Sequence, residues 1–405
     1  MASARWNSFI QFLCEIYQLP GDLRQSAVDE LLSTHSEWPW VERDRATFVY
    51  DSLTAHRVSV NIDIVNRDPP FENLVRLDDT SLWYFQRYFD RDALVDYMFA
   101  IDDPGTPLAQ EVNLLDRVER FWEADPLNAL TVHTAQVSTS VLQMPRARPV
   151  PKWQAMTAVP RGHVYRHRFS STHLAFDDRN LWVYTPPGYD PSSSHVYPLL
   201  ILMDGQWALN VLEVPYIADA LIKHGRMEPV IIAMLAAGSK SERVTEYIGN
   251  DNHYALVVAE LLPFLQTEHR IEPVNLGLGG VGEGAVAAAH AALKNPAIFA
   301  HLIMISPPLG GKPALHKLRE YAERFRDSPL LPRRIFHSVG RYEQDIRFYQ
   351  PALALRGILE RRMGHDPDLQ YKFVELGSGH SLVAFKSVMP EALAHVFPAP
   401  ASQTP

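Results

Sequence analysis

The sequence contains a single cysteine, Cys14, among 405 residues. One thiol excludes an internal disulfide framework and any metal site built from several thiolates. Positive charge is also scarce, because 38 Lys and Arg residues face 47 Asp and Glu residues and leave a formal net charge of −9. This balance gives no general attraction to nucleic acid or to anionic lipid, so neither is expected as a partner.

Long hydrophobic runs are missing as well. The first apolar segment, residues 9–16, is interrupted by Gln11 and Glu15. No later apolar run approaches the ~18 residues of a membrane span. We therefore expect a cytoplasmic protein without a signal peptide or a membrane-spanning helix. The sequence leaves open whether the chain forms a homo-oligomer.

The residue pattern changes along the chain and predicts more than one domain, as the length also does. Apolar residues at helical spacing in residues 9–35 predict two short helices. From Thr47 onward, short segments rich in β-branched and aromatic residues predict a small antiparallel sandwich. The predicted divisions are N-terminal helices over 1–40, a β-sandwich over 41–125, a proline-rich linker over 126–160, an α/β domain over 161–398 and a tail over 399–405.

Apolar runs alternate with helical segments after His163. Residues 198–203 and 230–235 are continuous apolar runs, which are typical of buried parallel strands. Further strands are predicted at 163–169, 180–184, 274–278, 301–305, 335–339 and 371–375. Alternating strands and helices predict a mostly parallel sheet with helices on both faces.

A glycine cluster, residues 277–284, connects a predicted strand to an alanine-rich helix. Its residues match the G-x-G-x-x-G motif of dinucleotide-binding sites. That motif normally follows the first strand of the sheet and has an acidic residue ~20 positions further on, whereas this cluster follows a later strand and lacks the acidic residue. A phosphate-binding P-loop would need Gly-Lys-Ser/Thr, which is absent. The better match is the nucleophile elbow G-x-S-x-G, in which a strained turn lifts a serine above the sheet. Here the central position of residues 280–284 is Gly282.

These patterns resemble those of the enterochelin esterase family, which comprises iron-siderophore trilactone esterases and their esterase-D-type relatives. The matching segments are residues 77–84, 97–99, 125–128, 140–145, 184–189, 202–206, 243–247, 260–263 and 280–299. The resemblance spans roughly residues 45–395. It implies an α/β-hydrolase fold preceded by an immunoglobulin-like (E-set) sandwich, and an ester, acyl or siderophore-like small molecule as ligand.

The resemblance also implies roles for individual residues. His380 falls where the family has its catalytic histidine, although it could be an ordinary loop histidine. Glu343 matches the acidic partner, with Asp345 as a nearby competitor. The backbone N–H groups of Gln206 and Glu283 would form the oxyanion hole, because backbone donors survive sequence change.

Three further side chains are expected to line the pocket, namely Trp207, Arg243 and Tyr247. Arg243 could hold an anionic or catecholate ligand. The alternative for Arg243 is a surface ion pair with a neighbouring glutamate.

The glycine at position 282 removes the attacking oxygen of the family's reaction. Losing this hydroxyl should cost roughly 10³–10⁶ in rate, because the members of a catalytic triad act as a unit. No residue obviously replaces it; the side chains considered are Glu283, Ser378, Ser381 and Cys14. Whether the chain is an enzyme is therefore left open. It is either a disabled esterase that binds a ligand or partner, or a hydrolase that uses water activated by His380 or an unusual nucleophile.

No cofactor and no metal ion are expected. The sequence has no His-Glu-x-x-His motif and no close cluster of ligands. His163, His167 and His173 are spaced like surface residues of a strand. His290, in the alanine-rich helix, is interpreted as a packing residue.

Overall fold

The computed structural model describes residues 5–65, 67–134, 136–311 and 315–400, without the side chains of 240 and 315–319. Most of the predicted tail, residues 401–405, lies outside the described part. The chain divides into two compact units. The sandwich unit runs to Pro149 and includes Leu376–Ala384, and the α/β unit comprises Val150–Glu375 and the chain from Phe385 onward.

The sandwich unit begins with the two predicted helices, which are confirmed. Its helices are α1 (Phe9–Ile16), α2 (Gly21–Thr34) and α3 (Leu114–Phe121). Ser8 caps α1 by accepting a hydrogen bond from the N–H of Gln11. Phe9, Phe12 and Ile16 lie on one face of α1 and are fully buried, as the i, i+3, i+4 spacing requires.

Two antiparallel sheets form the rest of the sandwich unit. Their strands are β1 (Trp40–Glu42), β2 (Arg45–Asp51), β3 (Val58–Ile62), β4 (Phe71–Asn73), β5 (Val75–Arg76), β6 (Leu82–Tyr88), β7 (Leu94–Ile101), β8 (Trp122–Glu123), β9 (Thr131–His133) and β10 (Ser138–Gln143). The orders are β1-β2-β6-β5 and β4-β3-β7-β10-β9, with β8 on β7. Phe48 of β2 meets Tyr97 of β7 at a ring distance of 4.9 Å, so the sheets pack face to face.

Strands β9 and β10 correct the predicted linker at 126–160. Both strands belong to the second sheet, and Val141 and Leu142 of β10 are buried. The sandwich therefore extends beyond residue 125, and its compact unit reaches Pro149. These strands were not predicted because they are short and lie among prolines, which normally indicate irregular structure.

A single mixed sheet organises the α/β unit. Its strands are β11 (His163–Ser171), β12 (Phe176–Thr185), β13 (Leu199–Leu202), β14 (Ile231–Leu235), β15 (Leu276–Val281), β16 (Phe299–Ile305), β17 (Arg334–Gly340) and β18 (Gln370–Leu376). The order is β11-β12-β14-β13-β15-β16-β17-β18. Strands β11 and β12 run antiparallel, while β14, β13, β15, β16 and β17 are mutually parallel. The predicted mostly parallel sheet is thus confirmed.

Helices connect the strands of this sheet. They are α4 (Gly205–Asn210), α5 (Val214–Lys223), α6 (Lys240–Tyr247), α7 (Asp251–Ala255), α8 (Leu262–Glu268), α9 (Glu283–Lys294), α10 (Leu315–Asp327), α11 (Gln350–His365) and α12 (Leu382–Val396). π-Helical segments occupy Leu256–Leu261 and Asp345–Tyr349. In α9, every residue from Gly284 to Ala292 is buried, because small alanine side chains let the helix lie close to β15 and β16.

Candidate active site

The turn at Gly282 joins β15 to α9 with the geometry of a nucleophile elbow. Gly282 has φ 59° and ψ −127°, a conformation that glycine adopts readily and that strains other residues. Its N–H donates to the carbonyl of Ile305 at 2.9 Å, and its carbonyl accepts from the N–H of Ala285 at 3.0 Å. The backbone is therefore shaped to present a side chain above the sheet, while residue 282 has none.

Two further glycines let the strand and the helix approach each other at this turn. A Cβ atom on Gly280 would lie 2.5 Å from the carbonyl oxygen of Gly284 and 2.7 Å from the nitrogen of Ala285. A Cβ atom on Gly284 would lie 2.8 Å from Oδ2 of Asp204. Neither position has room for a larger residue without moving the backbone, so both glycines are required by packing.

The Gly280→Ala substitution should therefore disrupt the elbow. We expect a loss of stability on the order of 1–3 kcal/mol, the usual effect of overpacking a close-packed core, measured as a lower thermal midpoint. Gly357→Ala is the matched control, because an added Cβ there meets only Nη1 of Arg361 at 3.6 Å in the middle of α11. The control should be neutral or stabilising by about 1 kcal/mol, since alanine favours helices. Equal midpoints for the two variants would contradict the packing role of Gly280.

A network of four charged side chains surrounds the elbow. Arg243 of α6 donates to both carboxylate oxygens of Asp204, from Nε and from Nη2, at 2.7 Å each. Its Nη1 donates to Oε2 of Glu283 at 2.5 Å, and Nη2 also reaches the carbonyl of Val281 at 3.2 Å. Arg347 donates to the other oxygen of Glu283 at 2.7 Å. The network ties the loop after β13, α6, the start of α9 and the π-helical segment together.

Opposite charges keep Arg243 and Glu283 ionised although both side chains are largely buried. Burial acts to lower the pKa of Arg243, but the hydrogen bonds and charges of Asp204 and Glu283 outweigh it and raise the pKa. Burial likewise acts to raise the pKa of Glu283, and Arg243 and Arg347 outweigh it and lower the pKa. Arg243 thus pairs with a glutamate, as the alternative prediction has it, but the pair is largely buried and not at the surface.

The remaining predicted pocket residues differ in accessibility. Trp207, near the start of α4, is 41% exposed. Tyr247 is buried under the guanidinium of Arg243, and its hydroxyl accepts from the N–H of Asp204 at 3.3 Å. The side chain of Gln206 accepts from the N–H of Ala237 at 3.1 Å. Tyr247 and Gln206 therefore support the walls of the site, while Trp207 offers a ring to solvent.

The predicted oxyanion donors stand at helix starts. Gln206 is the second residue of α4 and Glu283 the first of α9. The first N–H groups of a helix have no partner within the helix, and the helix dipole favours negative charge there.

Glu343 and Asp345, the two predicted acids, have different surroundings. Glu343 follows β17 and is only 4% exposed. Its Oε1 accepts from Oγ of Ser306 at 2.5 Å and from the N–H of Gly340 at 2.7 Å. Asp345 is exposed and accepts from the side chain of Gln350 at 3.1 Å. The surroundings favour Glu343 as the acid of the site, because only Glu343 is held in a fixed orientation by buried donors.

His380 lies in the segment between β18 and α12, which groups with the sandwich unit. The imidazole side chain is exposed, whereas the flanking Ser378 and Ser381 are buried. Oγ of Ser381 accepts from the N–H of Ala384 at 3.4 Å. Neither serine therefore accompanies the imidazole at the surface as a substitute nucleophile.

Two residues of the α/β site were missed by sequence reasoning. Ser306 follows β16 with a φ of 48° and fixes the carboxylate of Glu343. Arg347 holds Glu283 from a π-helical segment that no sequence pattern indicated. A polar residue directly after a buried parallel strand, as at Ser306, is the signal that could have been used.

The other histidines lie outside this site. His290 contacts Asp251 at 2.9 Å and the hydroxyl of Tyr321 at 3.1 Å, so it joins α7, α9 and α10. The ring of His167 lies beside that of His269, and not beside His163 or His173. Among the described residues, no group of three or more His, Cys, Asp and Glu side chains could hold a metal ion. Within the same residues, no helix has both the length and the apolarity needed to cross a membrane.

The fold and the elbow define a protein of the esterase class with an additional N-terminal domain. Comparison with known proteins agrees, since residues 173–396 match the family described as "Putative esterase" and residues 40–153 match the N-terminal domain of enterochelin esterase. The chain belongs to this esterase family, on its enterochelin esterase branch. The immunoglobulin-like (E-set) type of the sandwich remains a prediction.

Three similar proteins are enterobactin esterases of other bacteria. The iron(III) enterobactin esterase of Yersinia enterocolitica is 24% identical over 285 residues, which cover 60% of this chain and 79% of that protein. A crystal structure of the Shigella flexneri enterobactin esterase in the presence of enterobactin has a TM-score of 0.72 at 19% identity and covers 91% of this chain and 97% of that one. The ferric enterobactin esterase of Salmonella typhimurium has a TM-score of 0.73 at 18% identity and covers 91% and 98%.

Proposed function

We propose that this chain is an esterase-family protein that has lost the serine-esterase reaction and binds a siderophore-like small molecule. The observation that carries the proposal is the glycine at the elbow. Gly282 has the backbone of a nucleophile position but no oxygen with which to form an acyl intermediate. Ser378 and Ser381, the two serines that flank His380, are buried.

Ligand binding is supported by what remains of the site. The network of Asp204, Arg243, Glu283 and Arg347 still fixes the walls around the elbow. The oxyanion donors are backbone groups, which a change at residue 282 does not remove. In this proposal, Gln206 and Glu283 bind a carbonyl oxygen of the ligand, and Trp207 packs against one of its rings.

Arg347 is the best candidate for contact with an anionic group of the ligand. Its side chain is 36% exposed, and one Nη2 contact to Glu283 leaves other N–H groups of the guanidinium to donate. Arg243, in contrast, donates hydrogen bonds to protein oxygens from its Nε, Nη1 and Nη2 atoms. The ligand class is taken from one relative, the Shigella flexneri enterobactin esterase, which was crystallised in the presence of enterobactin and in the presence of 2,3-dihydroxy-N-benzoyl-serine.

Enterobactin and its ferric complex are the probes for this proposal. We expect saturable quenching of tryptophan fluorescence, and chromatography should recover the trilactone intact after incubation. Arg347→Gln should weaken binding about tenfold or more, because a hydrogen bond to a charged group contributes about 1.5–3 kcal/mol. Arg356→Gln is the control, since this arginine pairs with Glu360 one turn along α11 and lies over the ring of Phe373, so its loss should change affinity little.

Two outcomes would contradict the proposed function. Hydrolysis of enterobactin by the wild-type protein that disappears in His380→Ala would show a working enzyme. Absence of saturable binding by both probes would show that the site does not take this class of ligand.

A further inference from the structure

A buried carboxylate lies at the base of the His380 segment. Asp96 of β7 is 8% exposed. Its Oδ2 accepts from the N–H of Val383 at 3.5 Å, and its Oδ1 is buried without a hydrogen-bond partner among the described residues. Burial raises the pKa of Asp96 to about 7, although the N–H groups of Val383 and Leu382 act to lower it.

The rest of the His380 segment is fitted to the same part of the sandwich unit. The N–H of Leu94 donates to the carbonyl of Gly377 at 2.9 Å. A Cβ atom on Gly377 would lie 2.7 Å from the carbonyl oxygen of Asp92, and one on Gly379 would lie 2.9 Å from Oδ2 of Asp63. The segment thus follows the surface of β7 and its neighbours closely on both sides of Ser378.

Asp63 is linked to Asp96 through the backbone. The N–H of Asp63 donates to the carbonyl of Asp96 at 3.1 Å. Other titratable groups of this region are Asp63 after β3, which contacts Gly379, Asp92 before β7, which contacts Gly377, and His380 in the segment itself. Two carboxylates, at Asp63 and Asp96, lie under one short loop.

The contact with Val383 is made where α12 begins. The first N–H groups of a helix need acceptors from outside the helix, and the preceding residue usually supplies one. Ser381 accepts a hydrogen bond from the N–H of Ala384. Asp96, which lies 287 residues earlier in the chain on β7, accepts one from the N–H of Val383. The start of α12 is thus fixed from two sides, immediately after His380.

We propose that Asp96 is a positioning residue, which sets the place of the His380 imidazole by holding the first turn of α12. The proposal rests on the proposed function in one respect, because His380 must serve the ligand site. Asp96 itself touches no ligand and acts only through the segment.

Hydrogen exchange tests the positioning directly in the full-length protein. Mass spectrometry should show that peptides within residues 377–387 exchange about tenfold faster in Asp96→Ala than in the wild type. Asp96→Asn keeps one acceptor oxygen and should stay within about threefold. Asp125→Ala is the control, because Asp125 is equally buried in the sandwich unit and binds the hydroxyl of Tyr97 at 2.6 Å. Unchanged exchange of the segment in Asp96→Ala, or equal acceleration in Asp125→Ala, would overturn the proposal.

Activity in the Gly282→Ser background tests the consequence for the site. We expect Asp96→Ala to lower kcat 10–100-fold with KM unchanged within twofold, and Asp96→Asn to restore most of kcat. An equal decrease of kcat in Asp125→Ala would show that Asp96 only stabilises the fold and does not position His380. If Gly282→Ser itself shows no turnover, the site lacks more than the serine hydroxyl, and the exchange experiment decides the role of Asp96 by itself.

The pH dependence of the thermal midpoint gives a test that needs no alanine variant. Because folding raises the pKa of Asp96 to about 7, the folded state binds its proton more tightly than the unfolded chain does. The resulting stabilisation is present at low pH and is lost as the pH rises through 7. Asp96→Asn cannot ionise, so its midpoint should gain on the wild type between pH 5.5 and 8.5. A constant difference over this range would show that Asp96 is not the buried acid that the proposal requires.

Discussion

Gly282→Ser should give the protein esterase activity on p-nitrophenyl acyl esters at least about 10³-fold above the wild type. The added hydroxyl would occupy a backbone that already has the φ and ψ of an elbow. Members of a nucleophile–base–acid triad act as one unit, and removing one costs roughly 10³–10⁶ in rate. Restoring the missing hydroxyl should recover a substantial part of this lost rate. Initial rates at pH 8 measure it.

Gly282→Ala is the matched control for this gain. Alanine and serine at residue 282 must both adopt a positive φ, so both variants should lose about 1–2 kcal/mol of stability. Only the serine variant gains a hydroxyl. Activity in Gly282→Ser alone, abolished by adding His380→Ala, is the expected pattern. Equal activity in the serine and alanine variants would point to hydrolysis by water, and the proposal of a lost nucleophile would be wrong.

Arg243→Leu should destabilise the α/β unit by about 3–5 kcal/mol. Removing one partner of a buried ion pair leaves the other charge without compensation. Here two carboxylates would lose the same partner, since Arg243 binds Asp204 bidentately and also binds Glu283. Calorimetric scans should show a lower transition temperature, and the proteolysis rate should rise around α6.

Arg356→Leu is the control for the network. Arg356 and Glu360 form an exposed pair at i, i+4 on α11, and such pairs contribute roughly 0.3–0.5 kcal/mol. A similar loss in the two leucine variants would mean that the network at the elbow is screened by water and does not hold the four segments together.

The large sheet was predictable because its central strands are fully buried. The apolar runs at 198–203 and 230–235 became β13 and β14, and the predicted strands at 301–305 and 335–339 became β16 and β17. The strand before the elbow was predicted only as far as residue 278, whereas β15 continues through Gly279 and Gly280 to Val281. Glycine is rare in strands, and here it is present because α9 must approach closely.

The site was predictable where chemistry lies in a local motif. The turn around Gly282 follows from the strand–turn pattern, and Glu343, which stays a prediction as the acid of the site, was chosen for its place after β17. Arg347, Ser306 and Asp96 were not predicted, because long-range contacts define their roles. Arg347 meets a glutamate 64 positions away, and Ser306 a glutamate 37 positions away. A single sequence holds no signal for such pairs.

The grouping of Leu376–Ala384 with the sandwich unit limits how this protein can be rearranged. A chain that began at Val150 would keep every described strand of the large sheet, yet the surfaces that hold Gly377, Gly379 and Val383 would be gone. Swapping the small domain for that of a relative would alter the surroundings of His380 without touching a residue of the hydrolase fold. Truncation or exchange at residue 149 therefore changes the support of the His380 segment itself.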